Sequence, residues 1–261
     1  MILFLHELKR NRLSLIIWTA AIAFMLGICV IIYPEMSSQM GDISAMFADM
    51  GAFTSAFGMD QINFGEFMGY FGVECGNVLG LGGALFAAIL GANALAKEEK
   101  DRTAEFLLTH PVSRTRIMTE KLCACVTQVI LLNAIVIGIT SVCILAMGVD
   151  ADAATLTLVF LAYLLLQLEV MAVSFGLSAF LRRGALGAGL GFVFGMYFVN
   201  ILANLSKDLE PLKFVTPFGY ADGAHIIPEG AIELKYLAVG IGVAAVGIVA
   251  AYWNYTKKDI A

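Results

Sequence analysis

The sequence predicts an all-α membrane protein with six transmembrane helices, and three observations carry that prediction. Hydrophobic residues make up 60% of the 261-residue chain and charged residues only 14%. The mean hydropathy of +0.85 lies outside the range of ordinary soluble domains. Six segments are apolar enough, over roughly 20 residues each, to cross a hydrocarbon core of about 30 Å. Finally, Lys and Arg are segregated along the chain. With the N-terminus inside, the inner pieces hold thirteen of the sixteen: Lys9, Arg10, Arg12, Lys97, Lys100, Arg102, Arg114, Arg116, Lys121, Arg182, Arg183, Lys257 and Lys258. The outer pieces hold Lys207, Lys213 and Lys235. Positive charge keeps short loops cytoplasmic, so both termini are expected in the cytoplasm.

The elements follow in order. Met1–Arg12 sets Leu3, Phe4 and Leu8 among Glu7, Lys9 and Arg10, a pattern expected of a helix lying in the membrane interface. The membrane segments are expected at about 13–33, 70–96, 122–147, 154–180, 185–205 and 235–254. No linker rich in Pro or Ser interrupts them, so residues 1–261 read as one domain. Ala21-Ile22-Ala23 resembles a cleavage site, but the apolar run continues to Tyr33, so a retained helix is expected. The first outer loop, Pro34–Gly69, has five acids and no Lys or Arg. Within it Ile43, Met46, Phe47, Met50, Phe53 and Phe57 fall at helical spacing, with Asp42 as N-cap and Gly58 closing. That stretch is expected against the outer leaflet or over the mouth of the bundle.

Two membrane segments carry glycine at every fourth position: Gly72, Gly76 and Gly80 in the second, Gly187, Gly191 and Gly195 in the fifth. Such spacing lets helix backbones approach closely. Packing within the chain accounts for it, and a subunit interface or a sliding face is the sharper reading. Glu169 stands near the middle of the fourth segment with no Lys or Arg at that depth. An unpaired carboxylate there is costly and has to be protonated, face water or find a polar partner. With Glu74, Asn77 and Asn133 it forms the candidate substrate path. Gln128, Asn200 and Asn204 add further polar groups.

Other chemistries find little support. Five cysteines scattered through membrane segments do not make a disulfide framework, and Cys123-x-Cys125 lacks further metal ligands. Six methionines in or beside the first outer loop are soft ligands. They also suit an irregular apolar surface, so no metal is assigned. Nor is any cofactor or nucleic-acid partner. The three histidines lie in separate segments and no H-E-x-x-H occurs, which argues against an intramembrane hydrolase. There is no G-x-x-x-x-G-K-[ST] run, so any ATP motor resides in another chain.

The most informative stretch is Lys97–Lys121, which holds six of the sixteen basic residues between two long apolar runs. Thr103–Leu108 reads as a short helix with an apolar edge at Phe106 and Leu107, stopped by Pro111. Such a helix lying across two membrane-helix ends suits docking on a cytosolic partner. The run Glu98–Leu108, then Pro111-Val112-Ser113-Arg114 and Glu120-Lys121, closely resembles the first cytoplasmic loop of ABC-2 type transporter permeases. The six helices, the interfacial N-terminus and the Thr216–Tyr220 turn extend the resemblance over nearly the whole chain. One departure is visible: Arg102 runs directly into Thr103, where the family often has glycine.

The resemblance implies the permease half of an ATP-driven exporter. A second permease chain, identical or homologous, would pair with it, and cytosolic ABC ATPase subunits would dock beneath. The loop helix would then be the coupling helix, with Glu99, Arg102, Thr103, Glu105, Phe106, Leu107, Leu108, Pro111, Ser113 and Arg114 at the ATPase. The expected location is a bacterial-type plasma membrane. The alternative is a channel not driven by ATP, or a membrane sensor or scaffold. No motif selects a substrate.

Overall fold

Six long helices account for most of the chain in the computed structural model, which describes residues 2–37, 51–56, 59, 62–63, 65–100, 112–181 and 183–257. Of 52, 53, 98–100 and 207 only the backbone is described. Helix α1 is Ile2–Ser37. Helix α2 runs continuously through Phe67–Cys75, a π-helical stretch Gly76–Leu81, and Gly82–Lys100. Then come α3 (Arg114–Met147), α4 (Ala153–Phe180), α5 (Ala185–Leu205) and α6 (Leu234–Lys257). All six are long and apolar enough to cross a membrane, and among the described residues there is no strand.

Local chemistry sets the ends. Ser113 caps α3 by accepting from the Arg116 amide at 3.3 Å, and Asp152 caps α4 through the Ala154 and Thr155 amides. Those bonds, led by the Thr155 hydroxyl, hold the Asp152 carboxyl below its ordinary range. Gly148 ends α3 at φ 63°, a left-handed conformation that glycine adopts without a Cβ penalty.

The expected interfacial helix at Met1–Arg12 is not a separate element. Residues 2–12 are the first turns of α1, whose 36 residues span about 54 Å at 1.5 Å per residue. No Gly or Pro breaks the chain before Leu13, and α3 packs along α1 and holds the segment in place. Glu120 accepts from the amides of Leu3 and Phe4, at 3.1 and 3.2 Å, which satisfies donors that a helix start leaves open. Likewise α2 and α3 reach past their expected ends, to Lys100 and back to Arg114. Much of the charged island thus belongs to helices. The amphipathic stretch expected from Asp42 to Gly58 lies mostly outside the described residues; only a short helix, Ala52–Ala56, is described there.

Contacts gather alternate helix ends on one face. Besides the Glu120 bonds, Arg114 donates to the Tyr255 carbonyl at 3.2 Å, Lys121 to Ala94 at 2.7 Å, and Asn254 to Ala179 at 3.2 Å. The start of α1 and the end of α6 therefore lie at the same end of the bundle. Helices α2 and α4 form its centre: 72% and 56% of their most apolar windows are buried, against 17% in α5 and α6. Helix α4 packs chiefly on α2 and α6. At Gly91 the α2 backbone lies so close to Met171 and Phe175 of α4 that a Cβ would collide with backbone atoms.

At the opposite end, the middle of the connection from α5 to α6, residues 216–227, folds inward, while its first turn stays on the surface. The connection consists of 3-10 turns at Lys207–Phe214 and Pro217–Gly219 and the short helix Gly223–Glu229. Phe218, Tyr220, Ala221, Ala224 and Ile226 are all buried. Non-helical backbone is tolerated at membrane depth only when protein encloses it, and here α2, α4, α5 and α6 do so.

Candidate transport path and coupling end

Glu169 finds its polar partner in that inward fold. It is 6% exposed, and the Tyr220 hydroxyl donates to its Oε2 at 2.8 Å. Gly240 of α6 faces the same carboxylate, and a Cβ there would meet Oε2 and the Tyr220 ring. Glu169 lies sixteen residues into α4, roughly 24 Å along the helix. Tyr220 thus reaches the middle of the bundle from a segment that reads as an outer loop.

The other path candidates occupy separate contacts. Asn133 of α3 donates to Gln167 Oε1 at 2.6 Å, and Gln167 donates to the Leu79 carbonyl at 3.1 Å. Leu79 belongs to the π-helical stretch, and Gly83 leaves space for the Gln167 amide. Gln167 and Glu169 are two positions apart, about 200° around α4, so this amide chain and the carboxylate lie on different faces. Glu74 sits half-buried, with the Cys29 thiol of α1 3.9 Å from its Oε2. Asn77 accepts from the Tyr197 hydroxyl of α5 at 2.9 Å. The four candidates therefore make four separate contacts.

Asn77 also lines a cavity of about 60 Å³ toward the Phe67 end of α2 and the Leu205 end of α5. Tyr163, Tyr197, Asn200, Asn204 and Asp222 supply its other polar groups. The Asn200 and Asn204 carbonyl oxygens are buried without a hydrogen-bond partner among the described residues.

The two glycine series differ. Gly76 and Gly80 lie against the Tyr163 ring and hydroxyl, and Gly72 against Ile227, so the α2 series packs within the chain. Around Gly187, Gly191 and Gly195 nothing among the described residues lies within 4 Å of where a Cβ would stand. That face of α5 is open, flanked by exposed Phe194, Phe198 and Leu202.

At the charged end, a buried ion cluster joins three helices. Lys121 is 1% exposed; it pairs with Glu7 of α1 at 2.9 Å and donates to the Ala94 carbonyl near the end of α2. Arg10 meets Glu7 from the other side at 2.6 Å. Arg116 pairs along α3 with Glu120 at 3.0 Å. Of the loop residues, Ser113 and Arg114 are the described ones, and both brace the start of α3. Glu99 lies in the α2 backbone, while Arg102, Thr103, Glu105, Phe106, Leu107, Leu108 and Pro111 lie outside the described residues.

Sequence reasoning missed Tyr220, Gly240, Gln167 and the Glu7–Lys121 pair. Gln167 carried a legible signal, being an amide two residues from a membrane carboxylate. The others depend on long-range packing that no local pattern announces.

No curated protein matches the chain. A six-helix apolar bundle with a charged connection between its second and third helices nevertheless matches one family along its length. The family model described as ABC-2 family transporter protein covers residues 1–260, so the chain belongs to that family of transporter membrane proteins.

Proposed function

We propose that this chain is the permease subunit of an ATP-driven exporter, working as a dimer above separate cytosolic ATPases. The observation that carries the reading is the construction of the charged end. Residues 101–113 join α2 to α3, and Lys121 ties those two helices to each other and to α1. A force on that connection would move three helices together rather than bend a loose loop. The thirteen basic residues of the inner pieces support a cytoplasmic location for this end, and a bacterial plasma membrane fits the layout. Phe106 and Leu107 supply the apolar contact to the ATPase, and Glu99, Arg102, Thr103, Glu105, Leu108, Pro111, Ser113 and Arg114 shape and hold the helix around them.

The second permease chain seats on the open face of α5, where Gly187, Gly191 and Gly195 have no neighbour among the described residues. Close backbone approach there gives dispersion contacts that lipid tails do not. The path to the outside passes the polar cavity at Asn77, with Glu169 and Tyr220 closing the bundle at mid-depth.

Affinity purification of the tagged permease from its native cells tests this reading. Recovery of an ABC ATPase at one chain per permease is expected. Recovery of an intact permease dimer with no ATPase, in cells where the transporter is active, would contradict it.

A further inference from the structure

Arg114 opens α3, yet its guanidinium serves another helix. Carbonyls in the last turn of an α-helix lack an intrahelical donor. Tyr255 lies in the last turn of α6, and Arg114 Nη1 donates to its carbonyl at 3.2 Å. The helix dipole also favours a cation at that position. Five residues along α3, the Thr119 and Tyr252 hydroxyls share a hydrogen bond of 2.8 Å. Asn254 in turn donates at 3.2 Å to the carbonyl of Ala179, in the last turn of α4. The start of α3 thus caps α6, and the end of α6 caps α4.

The placement of α6 matters at mid-depth. Helix α6 packs on α4 and is otherwise largely exposed: only 17% of its most apolar window is buried. The two backbones cross closely, since a Cβ at Gly176 of α4 would stand 2.9 Å from the Gly247 carbonyl oxygen. Seven residues earlier on α6, Gly240 faces the Glu169 carboxylate and the Tyr220 ring. Seven residues make about two turns, so Gly240 and Gly247 share the face that α6 turns to α4. Rotating or sliding that face would replace Gly240 by a bulkier neighbour and crowd Glu169 and Tyr220. No proline lies between Gly240 and Tyr255, a span of roughly 22 Å of helix.

We infer that Arg114 is a positioning residue for the Glu169–Tyr220 contact, acting through α6. Its bond to Tyr255 fixes the height and rotation of α6, and Gly240 carries that setting to the carboxylate. A side chain beside the 101–113 connection thereby governs a contact at mid-depth, on helices to which it does not belong. In the permease reading the same tie carries movement of that connection to the closure formed by Glu169 and Tyr220; the positioning itself requires no ATPase.

The test is hydrogen exchange of the purified chain in lipid nanodiscs, without ATPase or nucleotide. Two regions are read: the end of α6 at 251–257, and the buried connection at 216–227, where the amides of Gly219, His225 and Ile226 donate to backbone carbonyls. Arg114→Met removes the bond and keeps a long side chain. Exchange at 251–257 should rise about tenfold, as loss of a hydrogen bond to a charged group does. At 216–227 it should rise about threefold, the scale of coupling between distant sites. Arg114→Lys, which can still donate to the Tyr255 carbonyl, should restore most of the protection in both regions. Arg116→Ala, whose partner Glu120 lies on α3 itself, should change neither. Coupling between sites is reciprocal, so Gly240→Ala should in turn speed exchange at 251–257. Should Arg114→Met not fold, Tyr252→Phe removes only the Thr119 bond and gives the same comparison. Faster exchange at 251–257 with 216–227 unchanged overturns the inference and leaves Arg114 a local cap. A uniform rise along all six helices, α1 included, overturns it as well, by showing general destabilisation. Because no ATPase is present, a failure here leaves the exporter reading standing, and absence of a co-purifying ATPase would leave this tie standing.

Discussion

Tyr220 donates its hydroxyl to Glu169 at 2.8 Å, linking an element between α5 and α6 to the middle of α4. Gly240 makes that contact sterically possible, since its missing side chain leaves room for both partners.

The first prediction compares two glycines of α6. Gly240→Ala places a methyl against the Glu169 carboxylate, and overpacking of this kind costs about 1–3 kcal/mol. Gly242, two residues on, has nothing within 4 Å of its Cβ position. Gly242→Ala should be neutral or slightly stabilising, because alanine is the better helix former. Thermal unfolding in detergent of both variants checks this; equal midpoints would contradict the contact.

The second prediction concerns the buried ion cluster. Breaking a buried pair by removing one partner typically costs about 3 kcal/mol or more, whereas replacing both partners with apolar groups is close to neutral. Lys121→Met should therefore destabilise strongly, tempered by the remaining Arg10–Glu7 pair. Glu7→Leu combined with Lys121→Met should recover most of the loss. A double variant no better than the worse single variant would show that the pair is not the organising contact.

How much of this was legible in the sequence follows from the range of each interaction. The six spans were legible because 20 apolar residues in a row have few alternatives in lipid. The charged island was legible from composition alone. The start of α1 reads as a separate helix because its amphipathic pattern suits an interface, while the bonds from Glu120 and Lys121 that hold it to α3 come from more than 110 residues away. Glu169 was identified as costly and in need of a partner, yet Tyr220 lies 51 residues on, in a segment whose polarity reads as a loop. The π-helical stretch left one trace, the glycines at 76, 80, 82 and 83, but glycine spacing does not say which carbonyl a π-turn presents.

The third prediction separates the glycine series. Gly80→Leu should prevent folding, since Tyr163 occupies the space. Gly191→Leu should leave the monomer intact and reduce the dimer fraction in crosslinking of native membranes. A normal dimer fraction in Gly191→Leu and in Gly195→Leu would move the interface off α5.

The fourth prediction fixes the sidedness. In a cysteine-free background, Glu66→Cys and Glu229→Cys should react with an impermeant thiol reagent in intact cells, while Ser113→Cys should react only after permeabilisation. Labelling at Ser113 from outside would invert the layout.

The central claim is that an ATPase drives this bundle through the 97–121 connection. The most direct measurement is ATP hydrolysis by the reconstituted permease–ATPase complex in nanodiscs, comparing wild type, Phe106→Ala, Leu107→Asp and Arg116→Ala. Truncating a buried interface aromatic costs on the order of 2 kcal/mol, roughly thirtyfold in affinity, whereas a rim charge changes little. Phe106→Ala and Leu107→Asp should lose ATPase retention and permease-dependent hydrolysis, and Arg116→Ala should keep both apart from an altered salt dependence. Full binding and full hydrolysis in both Phe106→Ala and Leu107→Asp would reduce the connection to a topological anchor.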